Sequence, residues 1–124
     1  ELKSAVMDVT RGRGLDVIVT ACPAQAAQEQ AIELAAIEGR VIFFGGLPKG
    51  SKATLDTNLI HYRQLWVTGT TRASMSQFRR TLQLIATGVI DVASMVSSTT
   101  PLEAFPQALD RALAGSGLKH EIAS

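Results

Sequence analysis

The sequence predicts an α/β fold: three parallel strands joined by crossover helices, followed by a C-terminal extension of helix and strand. Three observations carry that prediction. Runs rich in β-branched and aromatic residues recur at Asp16–Ala21, Val41–Phe44 and Leu65–Thr71. Segments of helical period separate them, the βαβαβ order of a parallel sheet with right-handed crossovers. The composition, 46% hydrophobic and 19% charged, suits strands covered on both faces.

Taken in order, Leu2, Val6 and Val9 share one helical face, which Arg11-Gly12-Arg13-Gly14 breaks. Asp16–Ala21 is the first strand, stopped by Cys22-Pro23 because proline cannot donate to a ladder. The next helix is expected from about Ala24 to Ile37, with the small stripe Ala27, Ala31, Leu34 and Ala35 packed on the sheet and Gly39 as its stop. Val41–Phe44, apolar throughout, reads as a strand buried on both faces and ending in the permissive loop Gly45-Gly46-Leu47-Pro48-Lys49-Gly50. Ligands of parallel α/β sheets sit outside the carboxyl ends of strands, so this loop is a candidate ligand shelf as well as an ordinary turn. Asp56 can cap a short helix over Thr57–Tyr62, and Leu65–Thr71 is the third strand.

The pattern changes after Arg72, which sets the expected division into residues 1–72 and 73–124. Ser76 can cap a helix carrying Phe78, Leu82 and Ile85, closed by Gly88. Asp91–Ser98 reads as an irregular piece and a weak strand. Thr100-Pro101-Leu102-Glu103 has the form of a capping box with proline at the first helical position, and Pro106 is expected to restart or kink that helix. Gly115 and Gly117 end it, leaving Leu118–Ile122 for a last strand.

Several function classes are excluded. A net charge of +1 gives no field for nucleic acid or an anionic membrane, and no apolar run approaches the roughly 20 residues of a membrane span. The single cysteine, Cys22, permits no intrachain disulfide and points to the cytoplasm. Glu1 opens directly into a helical pattern, which points to a fragment of a longer protein.

Chemistry-bearing residues are few. Gly12-Arg13-Gly14 is no phosphate fingerprint, since a helix precedes it and a strand follows, the reverse of what that motif needs. His61 and His120 lack metal-ligand spacing, and Cys22 has no local base, so each reads first as structural. Glu29, Glu33 and Glu38 read as a solvated helix face beside Gln25 and Gln28. Lys119, a cation beside Gly115 and Gly117, could meet a phosphate, though a solvated lysine is the default.

Together, Gly14–Pro23, Gly39–Gly50, Leu55–Arg63, Val67–Thr71 and Gly117-Leu118-Lys119 resemble, in order and interval, the C-terminal half of zinc-dependent medium-chain dehydrogenases of the sorbitol, threonine and galactitol-phosphate branch. The resemblance implies a partial Rossmann fold, the last three of six parallel strands, with residues 73–124 returning to a catalytic domain. It implies that Ala21 and Cys22, then Phe44, Gly45 and Gly46, then Thr70 and Arg72 hold the nicotinamide of NAD(P), and that Lys119 touches the coenzyme pyrophosphate. The parent enzyme would oxidise a secondary alcohol of a polyol-like substrate, with zinc as Lewis acid.

The departures matter as much. The glycine fingerprint and the ribose-binding acid are missing, as are the ligands of the catalytic zinc and the structural cysteine cluster. Thr20 stands where many members have Glu, and Pro23 where many have Gly. The resemblance therefore implies an inactive piece of an enzyme, with no catalytic residue and no metal ligand of its own. Half a sheet leaves the edge of Asp16–Ala21 open, so homo-oligomerisation through edge strands is expected, and a non-catalytic assembly module is the rival reading. A minimal nucleotide-binding domain is a third.

Overall fold

The computed structural model describes residues 1–123, which fall into two compact units dividing between Arg72 and Ala73. In the first unit, α1 (Leu2–Thr10) ends at Arg11, whose backbone is left-handed (φ 54°). The N–H groups of Arg11 and Gly12 return to the carbonyls of Asp8 and Met7, closing the helix where the sequence breaks its pattern. Strands β1 (Leu15–Thr20), β2 (Ala35–Phe43) and β3 (Trp66–Gly69) follow, joined by α2 (Gln25–Leu34) and α3 (Thr57–Tyr62). They form one sheet in the order β1-β2-β3, parallel throughout, with Ile18 opposite Val41 and Val41 opposite Val67.

Two successive right-handed crossovers in the same direction lay both helices on one face of the sheet. That face holds the core: Ala31, Ile32, Ala35 and Val41 are buried, with Ile18, Phe43, Leu59, Leu65 and Val67 packed against them. The other face is not covered. Val17 and Val19 on β1 are more than half exposed, and Trp66 on β3 is 72% exposed. The expectation of burial on both faces is thereby corrected, because the crossovers of three consecutive strands supply helices to one side alone.

The second correction concerns where α2 ends. Leu34 is its last residue rather than Ile37, and Gly39 lies inside β2 instead of stopping the helix. The pairing of β1 with β2 jumps from Leu15–Ala35 to Val17–Arg40, so residues 36–39 loop out before the regular ladder begins. What ends the helix comes from far along the chain. The Arg63 guanidinium donates through Nη1 to the carbonyls of Glu33 (2.9 Å) and Ala35 (2.8 Å), filling the role a C-terminal glycine turn would fill. Asp56 caps α3 as expected, accepting from the N–H groups of Asn58 and Leu59.

The second unit contains α4 (Met75–Ala86), β4 (Val96–Pro101), α5 (Phe105–Leu113) and β5 (Lys119–Ala123). The cap of α4 is Ser74 rather than Ser76, in a reciprocal capping box with Gln77. Thr100 and Pro101 belong to β4 rather than to a helix start, and Pro106 sits in the first turn of α5, where proline fits. β4 and β5 pair in parallel as a two-stranded sheet, and the buried Thr100 accepts a 2.7 Å bond from Arg111.

Candidate functional site

The carboxyl ends of β1, β2 and β3 are knit to one another by their own loops. The Gly45 N–H, just past β2, donates to the last carbonyl of β1, that of Thr20 (2.7 Å). In the same way the Thr70 N–H, just past β3, donates to the Phe43 carbonyl at the end of β2 (3.1 Å). Each loop thus steps sideways onto the preceding strand, and the ladder continues one rung beyond the sheet.

Gly45 is where this rim is tightest. A Cβ built there would meet the Cys22 carbonyl oxygen at 2.7 Å and its nitrogen at 2.9 Å, so only glycine lets the two loops touch. Gln28 secures the junction from below: it is 9% exposed, in α2, and its Nε2 donates to the Gly45 carbonyl (3.1 Å). Next door, a Cβ at Gly46 would meet nothing within 4 Å, and Phe44 is 63% exposed. The rim therefore has a locked base and an open upper surface.

Of the residues predicted for the site, Ala21, Cys22, Phe44, Gly45, Gly46 and Thr70 lie at the carboxyl ends of the three strands. Ala21 and Cys22 also line an apolar groove of about 240 Å³ along the free edge of β1, between α1 and α2. Arg72 follows at the end of the first unit, exposed, with a left-handed backbone (φ 57°). Lys119 is exposed at the start of β5, in the second unit. His61 lies in the last turn of α3, stacked edge-on against Tyr62 (4.8 Å between rings).

The glutamates do more than form a solvated face. Glu29 accepts from the Thr54 N–H (2.8 Å) and from Gln25 (2.8 Å), and these bonds, the first above all, hold its carboxyl below the usual range. The contact fastens the loop after the glycine shelf to α2. Glu33 pairs with Lys3 on α1, and Glu38 lies in β2 with a left-handed backbone. Gln28, expected beside the solvated helix face, is instead buried against the Gly45 carbonyl. Its signal was a polar side chain within the apolar stripe Ala27, Ala31 and Leu34.

No group of three or more His, Cys, Asp or Glu that could hold a metal ion exists among the described residues. The residues present therefore do not fit a zinc site. No helix of the described residues is long and apolar enough to cross a membrane. The rim offers backbone groups, exposed side chains at Ala21, Cys22, Phe44 and Thr70, and a bare surface at Gly46.

Residues 1–87 match the family described as zinc-binding dehydrogenase. D-arabitol-phosphate dehydrogenase of Enterococcus avium is 27% identical over 124 residues, all of this chain and 35% of that protein. A candidate zinc-binding dehydrogenase from Sinorhizobium meliloti, solved with NADP bound, superposes with a TM-score of 0.81 at 28% identity, over 90% of this chain and 32% of that one. An alcohol dehydrogenase zinc-binding domain protein from Burkholderia ambifaria shares the fold with a TM-score of 0.85 at 22% identity, over 98% of this chain and 33% of that one. The chain spans about a third of the length of such proteins.

Proposed function

The chain belongs to the zinc-binding dehydrogenase family, and from that premise we propose that it forms the nicotinamide-facing part of the coenzyme-binding region of an NAD(P)-dependent alcohol dehydrogenase. Residues 1–72 are the C-terminal half of the coenzyme domain, and residues 73–124 the return into a catalytic domain. The substrate class is a secondary alcohol of a polyol or its phosphate, a reading supported by the likeness to D-arabitol-phosphate dehydrogenase along the whole chain. The observation that carries the proposal is the rim: loops bonded across neighbouring strand ends, beneath an open glycine surface.

In such an enzyme the coenzyme supplies the hydride chemistry. The residues of this chain supply position. Gly45, fixed by Thr20, Cys22 and Gln28, holds the shelf rigid, and Gly46 lets the ring approach the backbone. Ala21, Cys22, Phe44 and Thr70 frame it, and Arg72 closes its far end. Lys119, by the resemblance, meets phosphate charge. No described group of residues suits zinc, so the chain alone is expected to be inactive as a dehydrogenase. With the phosphate-binding loop and ribose acid missing, a rigid ring shelf retains a small share of the coenzyme's affinity. Titration with NADH, followed by nicotinamide fluorescence, is expected to give a Kd of about 1 mM or weaker. Micromolar binding would show that the chain is a complete nucleotide-binding domain and overturn this division of labour.

A second reading is favoured by the uncovered sheet. β1 has an unpaired edge flanked by the apolar groove, Val17 and Val19 are exposed on that strand, and Trp66 is exposed on β3 across the sheet. Such a surface associates with another chain. We propose homo-oligomerisation through edge strands, so light scattering should show mass rising with concentration. A single monomer mass from micromolar to hundreds of micromolar would remove that reading.

A further inference from the structure

In the second unit, β4 and β5 bring a serine and a histidine together in a relation that the coenzyme role does not use. Ser98 Oγ lies 2.8 Å from His120 Nδ1, and His120 Nε2 is in hydrogen-bond contact with the Ser116 backbone carbonyl. A carbonyl only accepts, so in the neutral ring Nε2 carries the hydrogen and Nδ1 keeps its lone pair. The Ser98 hydroxyl then donates to Nδ1. Nucleophile, base and an acceptor that orients the base stand in sequence, as nucleophilic catalysis by serine requires.

The turn before β5 is built for this contact. Gly115 and Gly117 both have left-handed backbones (φ 66° and 82°), which turn the Ser116 carbonyl onto the ring. A Cβ at Gly117 would lie 2.6 Å from the Cβ and Oγ of Ser97, so no other residue fits without displacing β4. The neighbouring hydroxyls are committed elsewhere: Ser97 Oγ accepts from the Leu118 N–H (2.8 Å), and Thr99 Oγ1 donates to Glu121 (3.0 Å). Of these three hydroxyls, Ser98 alone faces an imidazole. Both Ser98 and His120 are half-buried.

We propose that Ser98 is a base-activated nucleophile, with His120 as general base and the Ser116 carbonyl as its positioning group, acylated by small activated esters. Ser98 Oγ bonds to the acyl carbon while its proton passes to His120 Nδ1. The ester C–O bond breaks, the leaving alcohol departs with that electron pair, and it takes the proton from His120. Water, deprotonated by the same nitrogen, later bonds to the acyl carbon; the Ser98 Oγ–acyl bond breaks, Oγ takes the proton back from His120, and the acid leaves. The inference stands apart from the coenzyme reading and survives if that reading fails.

The test is p-nitrophenyl acetate with the full chain, read as a p-nitrophenol burst and as the acetylated residue found by peptide mass mapping. The expected result is acetylation of Ser98 over Ser97, Ser116 and Thr99, with no burst from Ser98→Ala. His120→Gln keeps an acceptor for the hydroxyl but no base, and should slow labelling by about a hundredfold. Gly117→Ala should slow it as well. Should a variant fail to fold, the adduct map of the unaltered chain still decides. Absent labelling, labelling spread evenly over the exposed hydroxyls, or an unchanged rate in folded His120→Gln overturns the proposal and leaves the pair as a cross-strand tie.

Discussion

Gly45→Ala is expected to destabilise the first unit by about 1–3 kcal/mol, the usual range for forcing a group into a packed place. The added methyl would lie 2.7 Å from the Cys22 carbonyl oxygen, and backbone is on both sides, so nothing flexible can give way. Relief requires the loop after β2 to lift from the loop after β1. That movement breaks the Gly45–Thr20 bond and draws the Gly45 carbonyl away from Gln28. Gly46→Ala is the control. Its methyl enters open space, and stability should stay within about 0.5 kcal/mol of the parent. Urea unfolding of the two variants, followed by circular dichroism, separates them. Equal midpoints would show that the rim is looser than the contact at Cys22 requires.

Ile32→Ala should cost more, about 2–5 kcal/mol, through lost burial and the cavity left behind. Ile32 is 1% exposed and, with Val41 at 0%, is one of the largest side chains wholly out of water. The first unit is small and one sheet face is open, so its core is thin and has little else to compensate. A loss of that size is a large fraction of a small domain's stability. The check is the urea midpoint of the same transition. A shift equivalent to less than about 1 kcal/mol would mean that the core lies elsewhere than under α2.

The strands were legible because their pattern is local. β-branched runs with turn residues after them announce β1, β2 and β3, and the order of elements fixes parallel pairing. The strand end and its glycines point by themselves only to the Gly45-Gly46 loop; Ala21, Cys22, Phe44 and Thr70 enter through the family resemblance. What could not be read were choices made by distant residues. Ala35-Ala36-Ile37 is good helix sequence, yet α2 stops at Leu34 because Arg63, 28 residues beyond Ala35, takes its carbonyls. Thr100-Pro101-Leu102-Glu103 has the letters of a capping box, yet Thr100 and Pro101 pair with Ile122 and Ala123. Gln28 looked solvated because its partner, the Gly45 carbonyl, lies 17 residues away. The uncovered sheet face was missed because apolar strands read alike whether or not this chain brings the elements that cover them.

NADH, however weakly held, is expected to rest on the carboxyl ends of these three strands. Amide resonances recorded during the NADH titration test that most directly. The predicted result is shifts at Ala21, Cys22, Phe44, Gly45, Gly46 and Thr70, reduced in Gly46→Ala although that variant stays folded. Shifts concentrated at the amino ends of the strands, or none at these amides when millimolar NADH demonstrably binds, would contradict it.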